Sequence, residues 1–138
     1  GNPQISPSER FILVVDDDEH VRDLMEMSFQ MEGFQVATAF NGFEAAQKIT
    51  ARIPDLITAD LMMPDQGGWE FLRSLQAKGH ERLPVIVISA SKLDDSTIGL
   101  IRQEANVVDF IAKPVTMAAL VEIVHKHLNT TPRPAKKP

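Results

Sequence analysis

Five apolar runs of strand length recur along this chain, each followed by a stretch whose apolar residues fall at helical spacing, and this alternation constrains the fold more than any other feature. The runs are Phe11 to Val15, Phe34 to Ala39, Asp55 to Ala59, Val85 to Ile88 and Val107 to Ala112, rich in the β-branched residues that pack well on a pleated surface. After the first run, Val21, Leu24, Met25 and Phe29 repeat at i, i+3, i+4 and i+8. After the last, Met117, Leu120, Val121, Val124 and Leu128 form one stripe behind a Thr116 N-cap. Gly33 and Gly79 stand at expected helix ends, while Pro54 and Pro84 open strands where no ladder donor is lost. Parallel neighbours need crossover connections, and near-continuous apolar strands need cover on both faces. The class is therefore α/β, a doubly wound (βα)5 sandwich around a five-stranded parallel sheet.

A chain of 138 residues is long enough for one such unit with a single core. Residues 1–9 hold two prolines and little to bury, and residues 129–138 are basic and proline-rich. Both are expected to be flexible, leaving 10–128 as the folded domain. The tail carries Arg133, Lys136 and Lys137 without an acid. The other 128 residues hold eleven basic and nineteen acidic side chains, a balance of −8. So acidic a body is a poor grip for nucleic acid. The absence of cysteine excludes thiolate metal sites and cysteine nucleophiles, and no apolar run reaches the length of a membrane span, so a cytoplasmic protein without membrane contact is expected.

In sheets of this kind, sites form at the carboxyl ends of the strands. Strand one ends in Asp16 and Asp17, strand three at Asp60 in DLMMPDQGG, strand four at Ser89 and strand five at Lys113 in DFIAKP. Three carboxylates, a hydroxyl and an amine are thus expected on one edge. Carboxylates 4 to 5 Å apart repel by about 3 to 4 kcal/mol per pair at an effective dielectric near 20. A divalent cation relieves this, and Mg2+ prefers oxygen ligands. The alternative for each residue is local: acids cap helix starts, Asp60 suits a turn, and Lys113 suits a surface before a helix-starting proline. Asp18 and Glu19 are read as capping residues alone. His125 and His127, two apart, fall on different helix faces and are not read as a shared metal site.

The series VVDDD, DLMMP with a glycine pair, SA after an apolar strand, and DFIAKP resembles the receiver domain of bacterial two-component response regulators, from about Arg10 to Leu128. The resemblance implies the flavodoxin-like strand order 2-1-3-4-5. It implies that Asp60 accepts a phosphoryl group from a phosphohistidine of a sensor histidine kinase or histidine phosphotransfer protein. Asp16, Asp17, Asp60 and the Met62 carbonyl would bind Mg2+, Lys113 would pair with the phosphoryl group, and its bond to Pro114 would be cis. Ser89 and Phe110 would form the switch, biasing the face of the fourth helix (about Leu93 to Gln103), fifth strand and fifth helix toward a homodimer or a downstream protein. Such a domain catalyses only its own phosphorylation and dephosphorylation. Phe110 stands where Tyr is frequent, Asn106 where Gly is frequent (Asn also tolerates the left-handed conformation), and Gly67 and Val115 also depart from the commonest pattern. Two alternatives stay open: a Mg2+-dependent phosphatase of the haloacid-dehalogenase type, which would want Thr where His20 stands, and a binding module of the same fold that is not phosphorylated.

Overall fold

The computed structural model describes residues 4–61, 68–89 and 93–134. Five parallel strands, β1 (Phe11–Val15), β2 (Gln35–Ala39), β3 (Leu56–Ala59), β4 (Val85–Ser89) and β5 (Val107–Ala112), form one sheet in the order β2-β1-β3-β4-β5. The helices between and after them are α1 (Glu19–Met31), α2 (Gly42–Ala51), α3 (Gly68–Ala77), α4 (Asp95–Arg102) and α5 (Met117–Leu128). The expected doubly wound class and strand order are what the chain adopts.

Alternation along the strands divides the core in two. Ile12 and Val14 of β1 join Ile86 and Ile88 of β4 against Met25 and Phe29 of α1 and Leu120 and Val124 of α5. Leu13 and Val15 join Val85 and Val87 against Ala45 and Ile49 of α2, Phe71 and Leu72 of α3 and Ile101 of α4. Every residue of β1 and β4 is buried, as strands covered on both faces must be. Each large side chain fully removed from water contributes about 1.5 to 3 kcal/mol, so these two strands anchor the fold.

Element ends follow local chemistry. Asp18 caps α1, its carboxylate accepting from the N–H groups of His20 (2.9 Å) and Val21 (3.3 Å), and Thr116 caps α5 by accepting from Ala119 N–H. Gly33 closes α1 at φ +103°. A Cβ there would lie 3.3 Å from Pro7 Cβ, so both backbone and space favour glycine. Phe34 is not the first residue of β2: its N–H donates to Phe29 carbonyl, extending the helix end, and its ring meets that of Phe29 edge-on at 6.3 Å. Likewise Asp55 precedes β3, its carboxylate accepting from Phe11 N–H at 2.7 Å. β4 runs on to Ser89, and α4 is shorter than the 93–103 stretch, capped by Asp94 through Thr97 N–H. Asn106 needs no left-handed backbone. Its amide instead donates to the carbonyls of His80 and Leu83, tying the turn before β4 to the turn before β5.

The two segments expected to be flexible make defined contacts where they are described. Asn129 takes the left-handed conformation (φ 53°) and turns the chain back, so that Thr130 forms a parallel bridge with Ile5. Ile5 N–H donates to Asn129 carbonyl and Thr131 N–H to Ile5 carbonyl, while Pro7 is buried. His125 is buried as well, between the Glu32 carboxylate (2.8 Å) and the Thr130 hydroxyl (2.7 Å), with the Phe34 ring 5.0 Å away. His127, on another face of α5, pairs with Asp109 at 3.1 Å. Among the described residues no helix is long and apolar enough to cross a membrane.

Candidate functional site

The carboxyl edge of the sheet gathers four strand ends. Asp16 follows β1 and is 2% exposed, with every polar group engaged. Its N–H donates to Ala39 carbonyl (3.1 Å), its carbonyl accepts from Arg22 Nη1 (2.8 Å), Oδ1 accepts from Asp18 N–H (2.9 Å), and Oδ2 faces Lys113 Nζ (3.3 Å). Asp60 follows β3, its N–H bonded to Val15 carbonyl and its Oδ2 3.0 Å from Lys113 Nζ. Asp17 is exposed, and its carboxylate makes no hydrogen bond or ion pair among the described residues. One oxygen from each of Asp16, Asp17 and Asp60 lies within 4.8 Å of the others.

These positions follow from the architecture. β1 and β3 are hydrogen-bonded neighbours paired Val15 to Ala59, so the next residue of each, Asp16 and Asp60, leaves the sheet side by side. β4 and β5 pair Ser89 with Ala112, and Lys113 N–H donates to Ser89 carbonyl at 2.7 Å, which sends the lysine back across the edge. The Lys113–Pro114 peptide is cis. Ser89 is fully buried, and its hydroxyl has no hydrogen-bond partner among the described residues. Phe110 is buried in the layer with α4, and the Arg102 guanidinium stands 5.9 Å from its ring centre. Asp16, Asp17, Asp60 and Lys113 thus come together, with Ser89 at the adjoining strand end and Phe110 within the core. Met62 lies outside the described residues.

Electrostatics explain what such a cleft can bind. Burial pushes the Asp16 carboxyl above its ordinary range, with the Asp60 charge in the same direction, and the Asp18 N–H and Lys113 offset this only in part. Burial acts to lower the Lys113 amine, but its hydrogen bond to Asp60 and the charges of Asp16 and Asp60 outweigh this and hold it above its usual value. Three carboxylates against one ammonium leave an excess of negative charge. All the donors are hard oxygens, one carboxylate faces solvent, and the set fits a small divalent cation.

One residue that touches this site, Arg22, carries no signal of its own in the sequence. Arg22 reads as one more charged residue on α1, although it lies one helical turn after the capping Asp18.

Comparison with known proteins points one way. A family described as "response regulator receiver domain" matches residues 12–125. The transcriptional regulatory protein PrrA of Mycobacterium tuberculosis is 40% identical over 111 residues, 80% of this chain and 46% of that protein. The chain therefore spans about half the length of the curated relatives it matches. Among solved structures, the receiver domain of NtrX from Brucella abortus is 32% identical, with a TM-score of 0.76 over 87% of this chain and 99% of that one. A CheY-like receiver domain protein from Methanospirillum hungatei shares the fold at TM-score 0.75 and 24% identity, covering 86% and 93% of the two chains.

Proposed function

The chain belongs to the response regulator receiver family and is a phosphoacceptor signalling switch; from that premise we propose that Asp60 is the acceptor. The observation that carries this assignment is the Lys113 ammonium, 3.0 Å from Asp60 and 3.3 Å from Asp16, in a cleft that Asp17 also borders. An Asp60 oxygen attacks the phosphorus of a phosphohistidine on a sensor histidine kinase or histidine phosphotransfer protein. The phosphorus–oxygen bond forms as the phosphorus–nitrogen bond breaks, and the imidazole leaves with its electron pair. The family catalyses no turnover on a separate substrate in this reading, only its own modification.

Asp16, Asp17 and Asp60, with the Met62 carbonyl as a further ligand by resemblance, would hold Mg2+, which would supply positive charge to the carboxylates and to the phosphoryl oxygens. The remaining work falls to the chain. Phosphoryl transfer depends on positioning and charge stabilisation, and Lys113 supplies a point charge at the acceptor itself. Asp16, held at each of its polar groups, keeps Lys113 from folding entirely onto Asp60. The Ser89 hydroxyl donates to a phosphoryl oxygen and so acquires a partner. That bond draws on the β4–β5 edge, and Phe110 in the layer beneath transmits it to the face of α4, β5 and α5, where a second copy or a downstream protein binds. The phosphatase alternative wants its nucleophile after β1 in a D-x-D-x-T series, and this chain has His20 where that series has Thr.

Treatment with acetyl phosphate and Mg2+ is expected to add a single phosphoryl mass by intact-mass spectrometry, lost when EDTA replaces Mg2+ and absent in Asp60→Asn. A phosphoryl mass that persists in Asp60→Asn moves the acceptor elsewhere and overturns the assignment.

A further inference from the structure

We infer that Arg22 is a positioning residue for the metal-binding pair, aiming Asp17 by holding the carbonyl of the residue before it. The inference rests on the Mg2+-dependent reading of the cleft. Arg22 Nη1 donates to the Asp16 carbonyl at 2.8 Å, a contact from the second turn of α1 back to the end of β1. The peptide joining Asp16 to Asp17 is planar, so fixing its carbonyl fixes the plane from which the Asp17 side chain departs. On its other side this peptide is bounded by the Asp18 N–H bond to Asp16 Oδ1, and Asp18 in turn caps α1. Asp16 itself is held by Ala39 and Lys113 besides. Asp17 has no such restraint: its carboxylate is exposed and unbonded among the described residues, so its direction comes from the backbone alone. Arg22 is the one side chain that holds that peptide by its carbonyl among the described residues.

The sign of the effect separates this role from mere proximity of charge. A cation beside a cation site disfavours the metal, so removing one should tighten binding if charge were all that mattered. A positioning role predicts the reverse, because residues that orient metal ligands typically change affinity by about 10- to 100-fold when lost.

The test is calorimetric titration of Mg2+ alone into the full chain, comparing the wild type with Arg22→Ala, Arg22→Lys and Asp17→Asn. The expected result is that Arg22→Ala weakens Mg2+ binding by about tenfold and that Arg22→Lys, which keeps one donor and the charge, recovers part of the loss. Binding by Arg22→Ala that is unchanged or tighter overturns the inference. If Arg22→Ala does not fold, Arg22→Lys and Arg22→Met decide: the inference requires Met to bind more weakly than Lys, and equal affinities overturn it. A wild-type chain that takes up no Mg2+, or an Asp17→Asn variant that binds it normally, instead sinks the reading of the cleft on which the inference stands.

Discussion

Asp16 shows how a site residue can oppose the fold that holds it. Burial raises its carboxyl above the ordinary value, with the Asp60 charge adding to that push. A group whose folded value is raised contributes stability that is complete below its unfolded value, near 3.8, and is lost as pH rises through the folded value. Ionised Asp16 is therefore a cost at neutral pH, and Asp16→Asn removes one of three mutually repelling charges while keeping the side-chain shape. Without divalent metal the variant is expected to melt a few degrees above the wild type at pH 7, by calorimetry, with the gap closing as the pH falls below the ordinary carboxyl range. A gap that persists in acid would assign the gain to packing. The meeting of Asp16, Asp17, Asp60 and Lys113 at one edge was legible because strand ends are predictable from apolar runs and a parallel sheet brings its carboxyl ends together. Arg22 was not, because its contact is with a backbone carbonyl, and backbone atoms leave no trace in residue type.

At the scale of elements, strand cores and helix caps followed the sequence closely, while boundaries shifted where a side chain had a second task. Phe34 belongs to the end of α1 because its ring packs on Phe29 and His125, and Asp55 stays outside β3 because its carboxylate caps Phe11 N–H. After α5, the described residues 129–134 make contacts that the sequence pattern did not announce. Proline and basic residues suggest a solvated segment, but the left-handed turn at Asn129 brings Thr130 under His125, and long-range hydrogen bonds of that kind have no local signature. Burial acts to raise the Glu32 carboxyl, yet the hydrogen bonds from His125 and from Arg133 N–H hold it below its usual value. Its contribution to stability is present above the ordinary carboxyl range and lost as pH falls through that lowered value. His125→Ala leaves the Thr130 hydroxyl and the Glu32 carboxylate without their buried partner, a loss of about 2 to 3 kcal/mol. Chemical denaturation is expected to show a lower midpoint at unchanged slope, with phosphoryl uptake at Asp60 retained. An unchanged midpoint would mean that water replaces the imidazole without cost.

For the molecule as a whole, the sheet carries its chemistry at one edge, and ligand binding there is felt as global stability. A ligand at ten times its dissociation constant stabilises the native state by about 1.4 kcal/mol. Millimolar Mg2+ is accordingly expected to raise the melting temperature of the wild type, and Asp17→Asn to abolish that rise. A rise that survives in Asp17→Asn would locate the ion away from the three carboxylates. The pairing of Ile5 with Thr130 has a consequence of its own. Ile5 N–H donates to the Asn129 carbonyl and Thr131 N–H to the Ile5 carbonyl, so the described stretches before β1 and after α5 are knitted together, and loosening one of them frees the other.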